Sequence, residues 1–419
     1  MLRQTAYVHC SQAKLVNSQS DKVIHPGLYL HVPFCATTCD FCAFYQEAPR
    51  RADLLRYLEG IERELDHWCA EWDAHTAAAD FLPALDAQAG LTVFFGGGTP
   101  GLLAAPDLAR LCQAVRERAP GPIAEWTVEM APSTVKADKI AAMREAGVNR
   151  ISMGVQSFDE TLLEKLGRRH NPKQVLRAYQ ELRDGGCDNV NLDLIFAVPG
   201  QSLEQWRDDL QRAIDLQPEH ISTYCLTFEE DTKLWVKLSK GEFKRDIEQE
   251  AELYQFTWEM LAAAGYPQYE VSNFTKPGYA CAHNLSTWRM GQWRGVGPSA
   301  ASQWGPRRWS NPSDLNQWLA GLENYQLGQL ADSALDVVPL STDIVASDAL
   351  IFGLRLNDGV NLAALRARFP AADWATYNAL WAELFAEGVV EQTGDRLRLT
   401  DAGRLLADSV GGRVLEASV

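Results

Sequence analysis

Long apolar runs are missing from this 419-residue sequence. No stretch approaches the roughly 18 to 20 residues that span a bilayer, which excludes an integral membrane helix. The start, Met1 to Ser20, lacks the charged-then-apolar order of a signal peptide, so the chain is read as cytoplasmic. Positive charge is scarce: 39 Lys and Arg stand against 55 Asp and Glu, a formal charge of -16. Such a balance argues against nonspecific binding to phosphate backbones or anionic membranes. Cysteine is neither abundant nor even in number. There are nine, and Cys10, Cys69, Cys112, Cys187, Cys225 and Cys281 are scattered, which excludes a disulfide framework. Those six read as ordinary buried or half-buried thiols, with Cys281, two residues before His283, the one to watch.

The other three cysteines form one run, Cys35-Ala36-Thr37-Thr38-Cys39-Asp40-Phe41-Cys42, directly after the strand-like Leu28 to Val32. Three thiolates so close in sequence can hold one face of an iron-sulfur cube. The fourth iron is then open to a small molecule, as an open position is at catalytic metal sites. Structural zinc is the competing reading, with His31 as its fourth ligand.

From Leu28 onward, short runs rich in Val, Ile and Phe alternate with amphipathic helical segments, the mark of parallel βα units. Strands are expected at Leu28 to Val32, Thr92 to Phe95, Trp126 to Met130, Arg150 to Val155, Asn189 to Phe196 and His220 to Thr227. Six such units imply a barrel or a large open sheet. In Asp53 to Trp72 the residues Leu54, Leu58, Ile61, Leu65, Trp68 and Trp72 fall on one helical stripe, read as core. Asn171-Pro172 opens another helix that Gly185-Gly186 ends, and Ser202 with Gln205 forms a capping box.

Polar residues on the strands carry more information, because successive side chains face opposite sides. Tyr29 and His31 share one face, and Leu28, Leu30 and Val32 the other. Glu129 and Asp193 are acids within apolar strands that must be paired or liganded, and Gln156 lies at a strand end. Their place near the carboxyl ends of parallel strands is where barrels build sites. Gly96-Gly97-Gly98-Thr99-Pro100 follows the second strand and is expected to offer free amides to a ligand. It is not a phosphate-cradling loop, since no Gly-Lys-Ser/Thr follows.

Taken together, Tyr29-x-His31-x-Pro33-Phe34-Cys35-x3-Cys39-x-Phe41-Cys42 and Gly96-Gly97-Gly98-Thr99-Pro100 resemble the radical SAM superfamily. Gly154-Val155-Gln156-Ser157-Phe158, Leu166-Gly167-Arg168 and Asp193 to Gly200 are similar to the branch that holds oxygen-independent coproporphyrinogen III oxidase and the HemW haem chaperones. The oxidase pattern has a further cysteine two residues after the third, whereas this chain has Phe44, as HemW proteins do. Tyr269 to Tyr279 and His283-Asn284-Leu285-Ser286-Thr287-Trp288 look like the HemW pattern, with Thr287 in place of its usual tyrosine. Gly295-Val296-Gly297-Pro298-Ser299-Ala300-Ala301 departs from the family's G-x-G-x-G-A-H.

That resemblance implies an α/β fold, a partial (β/α)6 barrel of the TIM type, with a small winged-helix-like α+β domain after it. It implies a 4Fe-4S cluster on Cys35, Cys39 and Cys42, with S-adenosylmethionine (SAM) on the open iron. SAM contacts are implied for Tyr29, Gly97, Gly98, Thr99, Glu129, Gln156, Arg168 and Asp193, and His283 is the haem candidate, imidazole being an ordinary axial ligand. The implied function is a haem chaperone that binds haem and delivers it to recipient haemoproteins, with flavodoxin or ferredoxin as electron donor. Two alternatives share the scaffold. One is the oxidase, an oxidoreductase that decarboxylates coproporphyrinogen III to protoporphyrinogen IX in porphyrin biosynthesis. The other is a radical SAM methyltransferase. No catalytic residue is assigned.

Three regions are expected: an extension over 1–24, a core with its HemW-like continuation over 25–325, and a C-terminal domain over 340–419. The looser composition of Gln326 to Ser341 marks the boundary. The last region reads as helices at Val345 to Arg355, Leu362 to Arg368 and Trp374 to Ala386, a hairpin across Thr393-Gly394-Asp395, and a helix from Asp401. A winged helix invites a nucleic-acid partner. Leu340 to Val419 holds 7 Arg, no Lys and 11 acids, which argues against one and favours a lid or a protein-docking module.

Overall fold

The computed structural model describes residues 23–75, 89–323 and 335–418. Nearly all of the expected N-terminal extension, Cys10, and most of the expected boundary stretch lie outside the described residues. Six parallel strands run side by side: β1 (Gly27–Val32), β2 (Leu91–Gly97), β3 (Ile123–Met130), β4 (Arg150–Gln156), β5 (Val190–Phe196) and β6 (His220–Cys225). Each expected strand is present, with bounds shifted by a few residues. Helices cross between them and cover the outer face, giving the expected partial barrel. Leu28, Leu30 and Val32 are fully buried in that outer core with Leu58 and Ile61. The stripe expected from Leu54 to Trp68 is indeed core, and Trp72 packs edge-on to Trp68.

Capping is as the sequence implies. The Pro172–Asp184 and Leu203–Asp215 helices both open on complete capping boxes, Asn171 with Gln174 and Ser202 with Gln205, each stabilising its helix by about 1 kcal/mol.

The barrel is not closed between β6 and β1. Six further strands extend its two edges: β7 (Gln268–Glu270), β8 (Asn273–Thr275), β9 (Trp293–Val296), β10 (Ala301–Trp304), β11 (Arg307–Ser310) and β12 (Leu335–Pro339). The sheet order is β12-β11-β10-β9-β1-β2-β3-β4-β5-β6-β8-β7. β9 lies parallel to β1, while β8 lies antiparallel to β6. None of the six was expected, because segments such as Trp293-Arg294-Gly295-Val296 are too short for periodicity to register.

The C-terminal part folds around its own three-stranded antiparallel sheet, β13 (Val360–Asn361), β15 (Arg396–Leu399) and β14 (Val390–Thr393). Its expected helices are present as Thr342–Arg355, Leu362–Arg368, Trp374–Ala386, Asp401–Leu405 and Ala407–Glu416. Among the described residues, no helix is long and apolar enough to cross a membrane.

Candidate functional site

β1 leads through Pro33 and Phe34 into the cysteine run, which backbone bonds hold from several sides. Asp40 N donates to Leu166 O (3.0 Å), Leu234 N donates to Asp40 O (2.9 Å), and Cys35 N donates to Glu47 O (3.0 Å). The Asp40 carboxylate is further clamped by Lys233 (3.1 Å) and Lys237 (3.3 Å). Cys35, Cys39 and Cys42 are free and half-buried. They lie close enough that a negative charge on either of the others raises Cys42. Arg168 is set among them: Nη1 donates to Cys39 Sγ (3.2 Å), and Nη2 donates to Gly154 O (3.0 Å) at the end of β4. Burial, reinforced by the neighbouring cysteines, pushes the Cys35 and Cys42 thiols up, so that iron binding would displace their protons. Three gathered thiols beside a fixed guanidinium fit a thiolate-held anionic cluster.

Zinc loses its fourth ligand. His31 Nε2 pairs with Tyr45 O (3.1 Å) and Nδ1 with Tyr29 Oη (3.3 Å), so both ring nitrogens are engaged away from the thiols.

The glycine run serves a purpose different from the expected one. Gly98 N donates to Val32 O (2.8 Å) and Thr99 N to Phe34 O (2.9 Å), and the Gly97 amide bonds the Glu129 carboxylate. These amides are therefore not free for a ligand. A Cβ at Gly98 would lie 2.6 Å from Val32 O, and one at Gly97, where φ is +98°, would lie 2.5 Å from the His31 ring. The glycines let β2 press against the root of the cysteine loop. Thr99 Oγ1 meets Cys35 Sγ at 3.5 Å.

Behind the loop stand two acids. Burial and the charge of Asp193 push Glu129 up to about 8, and burial likewise raises Asp193. Asp193 accepts from Ser152 Oγ (3.0 Å) and Asn191 Nδ2 (2.8 Å), with the buried Arg150 as the cation that favours its charge. Tyr29 sits beside Glu129, and its hydroxyl is held protonated by burial and that acid. Tyr224, which is 41% exposed, faces Asp193 and Glu129 from β6. Gln156 has φ +67° at a bulge that ends β4. Tyr29, Thr99, Glu129, Arg168, Asp193 and the cysteines are thus brought together. Arg150, Asn191 and Tyr224 were not anticipated, although their alternation with apolar neighbours on the strands was a readable signal.

His283 is not among them. It lies in the short helix Ala282–Trp288 beneath the amino ends of the strands, where its Nδ1 meets Thr92 Oγ1 at 3.0 Å. Its ring tilts against Phe94 and reaches within 3.1 Å of where a Cβ on Gly27 would be. Burial pushes it down to about 4. Thr92 and Gly97 are five residues apart on β2, roughly 17 Å at about 3.3 Å per residue, so His283 and the cysteines occupy opposite ends of the strands. Glu125, at the start of β3, accepts from Ala282 N (2.9 Å), His283 N (3.0 Å) and Cys281 Sγ (3.4 Å). These contacts hold Cys281 and His283 in the floor.

Residues 29–213 match the radical SAM superfamily, and residues 340–406 match the HemN C-terminal domain. A heme chaperone HemW of Bacillus subtilis is 30% identical over 393 residues, covering 92% of this chain and 98% of that protein. A heme chaperone HemW of Mycobacterium tuberculosis is 36% identical over 396 residues, covering 92% and 93%. This chain belongs to the HemW family. Among solved structures, the Escherichia coli coproporphyrinogen III oxidase HemN shares the fold, with a TM-score of 0.76 and 22% identity over 94% of this chain and 92% of that one.

Membership of the HemW family also explains the downstream motifs by position. Trp288 packs edge-on to Phe352 and lies under the Arg355 guanidinium, 5.0 Å from its ring centre. Val271 N donates to Arg355 O (3.1 Å), and Asn357 N to Tyr269 O (3.0 Å). The stretches Tyr269 to Phe274 and His283 to Trp288 therefore form the seat of the C-terminal domain. Thr287, where the HemW pattern has tyrosine, donates to His283 O (3.1 Å) within that seat.

Proposed function

We propose that this HemW-family chain carries a 4Fe-4S cluster on Cys35, Cys39 and Cys42, binds SAM beside it, and binds haem for delivery to recipient haemoproteins. The observation that carries the reading is the gathering of three free thiols, Arg168, Glu129 and Asp193 at the carboxyl ends of the strands. The cluster, when bound, supplies single-electron chemistry to the SAM sulfonium. The remaining roles belong to side chains. Arg168, whose guanidinium keeps N–H groups beyond the two given to Cys39 and Gly154, supplies the positive charge suited to the SAM carboxylate. Glu129 and Asp193 are acceptors for ribose hydroxyls, and their charge offsets the sulfonium. Gly97 and Gly98 shape the wall through their packing, and Tyr29, Thr99 and Gln156 line it.

The haem part rests on relatives named heme chaperones along nearly the whole chain. Phe44, 68% exposed just beyond Cys42, stands where the oxidase pattern has cysteine and presents an apolar face at the rim. His283 is not assigned as a ligand. An electron donor of the flavodoxin or ferredoxin type would reduce the cluster.

Anaerobic reconstitution followed by parallel assays tests the reading. About four irons per chain, a saturable haem-binding signal, and no protoporphyrinogen from coproporphyrinogen III are expected. Protoporphyrinogen formation would make the chain an oxidase, and methyl transfer with S-adenosylhomocysteine release would make it a methyltransferase. Holo protein that does not bind haem would end the chaperone reading.

A further inference from the structure

Inside the barrel, a chain of side chains joins Asp193 to the seat of the C-terminal domain, and the orientation of the Asn191 amide sets the direction of its hydrogen bonds. Asn191 Nδ2 donates to Asp193 Oδ1 (2.8 Å) and to Ser152 Oγ (2.7 Å), and Ser152 Oγ donates onward to Asp193 Oδ2 (3.0 Å). This orientation of the amide leaves Asn191 Oδ1 as an acceptor. It takes Ser222 Oγ (3.1 Å) and His220 Nδ1 (2.6 Å), so Nδ1 carries the proton. In a neutral imidazole the other nitrogen is then an acceptor. Burial and the Arg150 charge hold His220 neutral. Nε2 accordingly accepts from Tyr269 Oη (2.9 Å), whose oxygen in turn accepts from Cys281 N (3.3 Å). Each donation from the Cys281 amide to the carboxylate points the same way, toward Asp193.

We infer that His220 is a positioning residue, which together with Tyr269 and Asn191 locks the Asp193 carboxylate in one orientation, as an acceptor, for the ligand of the site. The inference rests on the proposed SAM reading and adds to it a residue on the strand beyond Asp193. It also accounts for Tyr269, which the family motif includes and the cluster chemistry does not use. Asn191 rotated by half a turn would present its oxygen to Asp193, and His220, at 2.6 Å the closer of its two donors beside Ser222 at 3.1 Å, opposes that rotation. The charged and titratable groups facing Asp193 are Glu129 on β3, Arg150 on β4 and Tyr224 on β6. Glu129 opposes its charge, while Arg150 and the donors Ser152, Asn191 and Ser222 favour it.

The test is SAM titration by calorimetry on anaerobically reconstituted full-length protein, from pH 6 to pH 8. His220→Leu is expected to weaken SAM binding about tenfold, the scale of a hydrogen bond lost to a charged group. The loss should deepen toward pH 6, where a less well-solvated carboxylate takes up a proton first. His220→Asn, which keeps a donor near the Nδ1 position, should restore binding to within about threefold, and Tyr269→Phe should cost less than His220→Leu. Asp193→Asn separates the two readings. If it does not weaken SAM binding, Asp193 is not a SAM contact and the inference falls with that reading. If Asp193→Asn weakens binding while His220→Leu, folded and with full iron content, binds as wild type at both pH values, the positioning role is overturned alone. Should His220→Leu not fold, Tyr269→Phe decides by the same titration. Wild-type affinity and an unchanged pH profile in Tyr269→Phe would overturn the inference.

Discussion

Glu125 and Glu129 stand on the same interior face of β3, four residues apart, in opposite circumstances. Glu125 accepts three donors from the start of the floor helix, Cys281 Sγ and two backbone amides. Glu129 receives the Gly97 amide and faces a second acid. Glu125 is thus held by donors of the floor helix, whereas Glu129 at the mouth stands with a second acid beside half-buried thiols. A buried carboxylate costs stability unless donors or a cation offset it, and two acids facing each other at the mouth offset each other least. Identical residue types thus meet donors at one end of the strands and a second acid at the other.

The strongest way to break this contrast is to exchange cysteines. Cys39→Ser is expected to lose essentially all iron on reconstitution, whereas Cys281→Ser keeps wild-type iron and sulfide content. Equal loss in both would erase the distinction. Next in size is the pair of glutamates. Glu125→Gln removes a buried charge from its donors and from the Arg150 field, and should destabilise by about 3 kcal/mol in urea unfolding.

Glu129→Gln should do the reverse in protein without cluster. A carboxyl whose folded pKa lies near 8 instead of about 4.3 binds a proton that the unfolded chain has released. Stability therefore falls as pH rises between those two values. Removing the group should stabilise by about 1–3 kcal/mol at pH 7, with no gain at pH 4. A pH-independent effect would show that Glu129 is not strained by burial.

His283→Ala sharpens the contrast by separating fold from ligand. It should cost about 2 kcal/mol through the lost packing and hydrogen bond, while haem titration remains at the wild-type level. Weakened haem binding in a folded variant would return His283 to the site. The smallest effect is expected at the rim of the floor. Trp288→Ala should loosen the Thr342–Arg355 helix, read as faster hydrogen exchange there, with protection of the six parallel strands unchanged.

Much of this was legible because its causes are local. The alternation of Leu28, Leu30 and Val32 with Tyr29 and His31 places one face outward and one inward whatever the rest of the chain does. Asn171-Pro172 and Ser202 with Gln205 announce helix starts through bonds made within four residues. The run from Cys35 to Cys42 likewise places three thiols close together by spacing alone, with the cluster implied by the family resemblance. What was misread depended on distant neighbours. β9 exists because it pairs with β1, more than 260 residues away in sequence. The amides of Gly98 and Thr99 looked available until the root of the cysteine loop was seen to accept from them. His283 is a haem candidate through the family motif alone, and that its Nδ1 meets Thr92 on another strand could not be read from its neighbours in sequence.

The sequence by itself determined the order of βα units, the inward and outward faces, the capped helices and the cluster-type cysteine triplet, since each follows from periodicity or short-range bonding. Only the tertiary structure decided which end of the barrel each polar residue serves. A strand carries polar side chains inward at every second position along its whole length, so Glu125 and Glu129 share that face by sequence alone. Their fates part because a helix from residue 282 closes one end, while the loop of Cys35, Cys39 and Cys42 stands over the other.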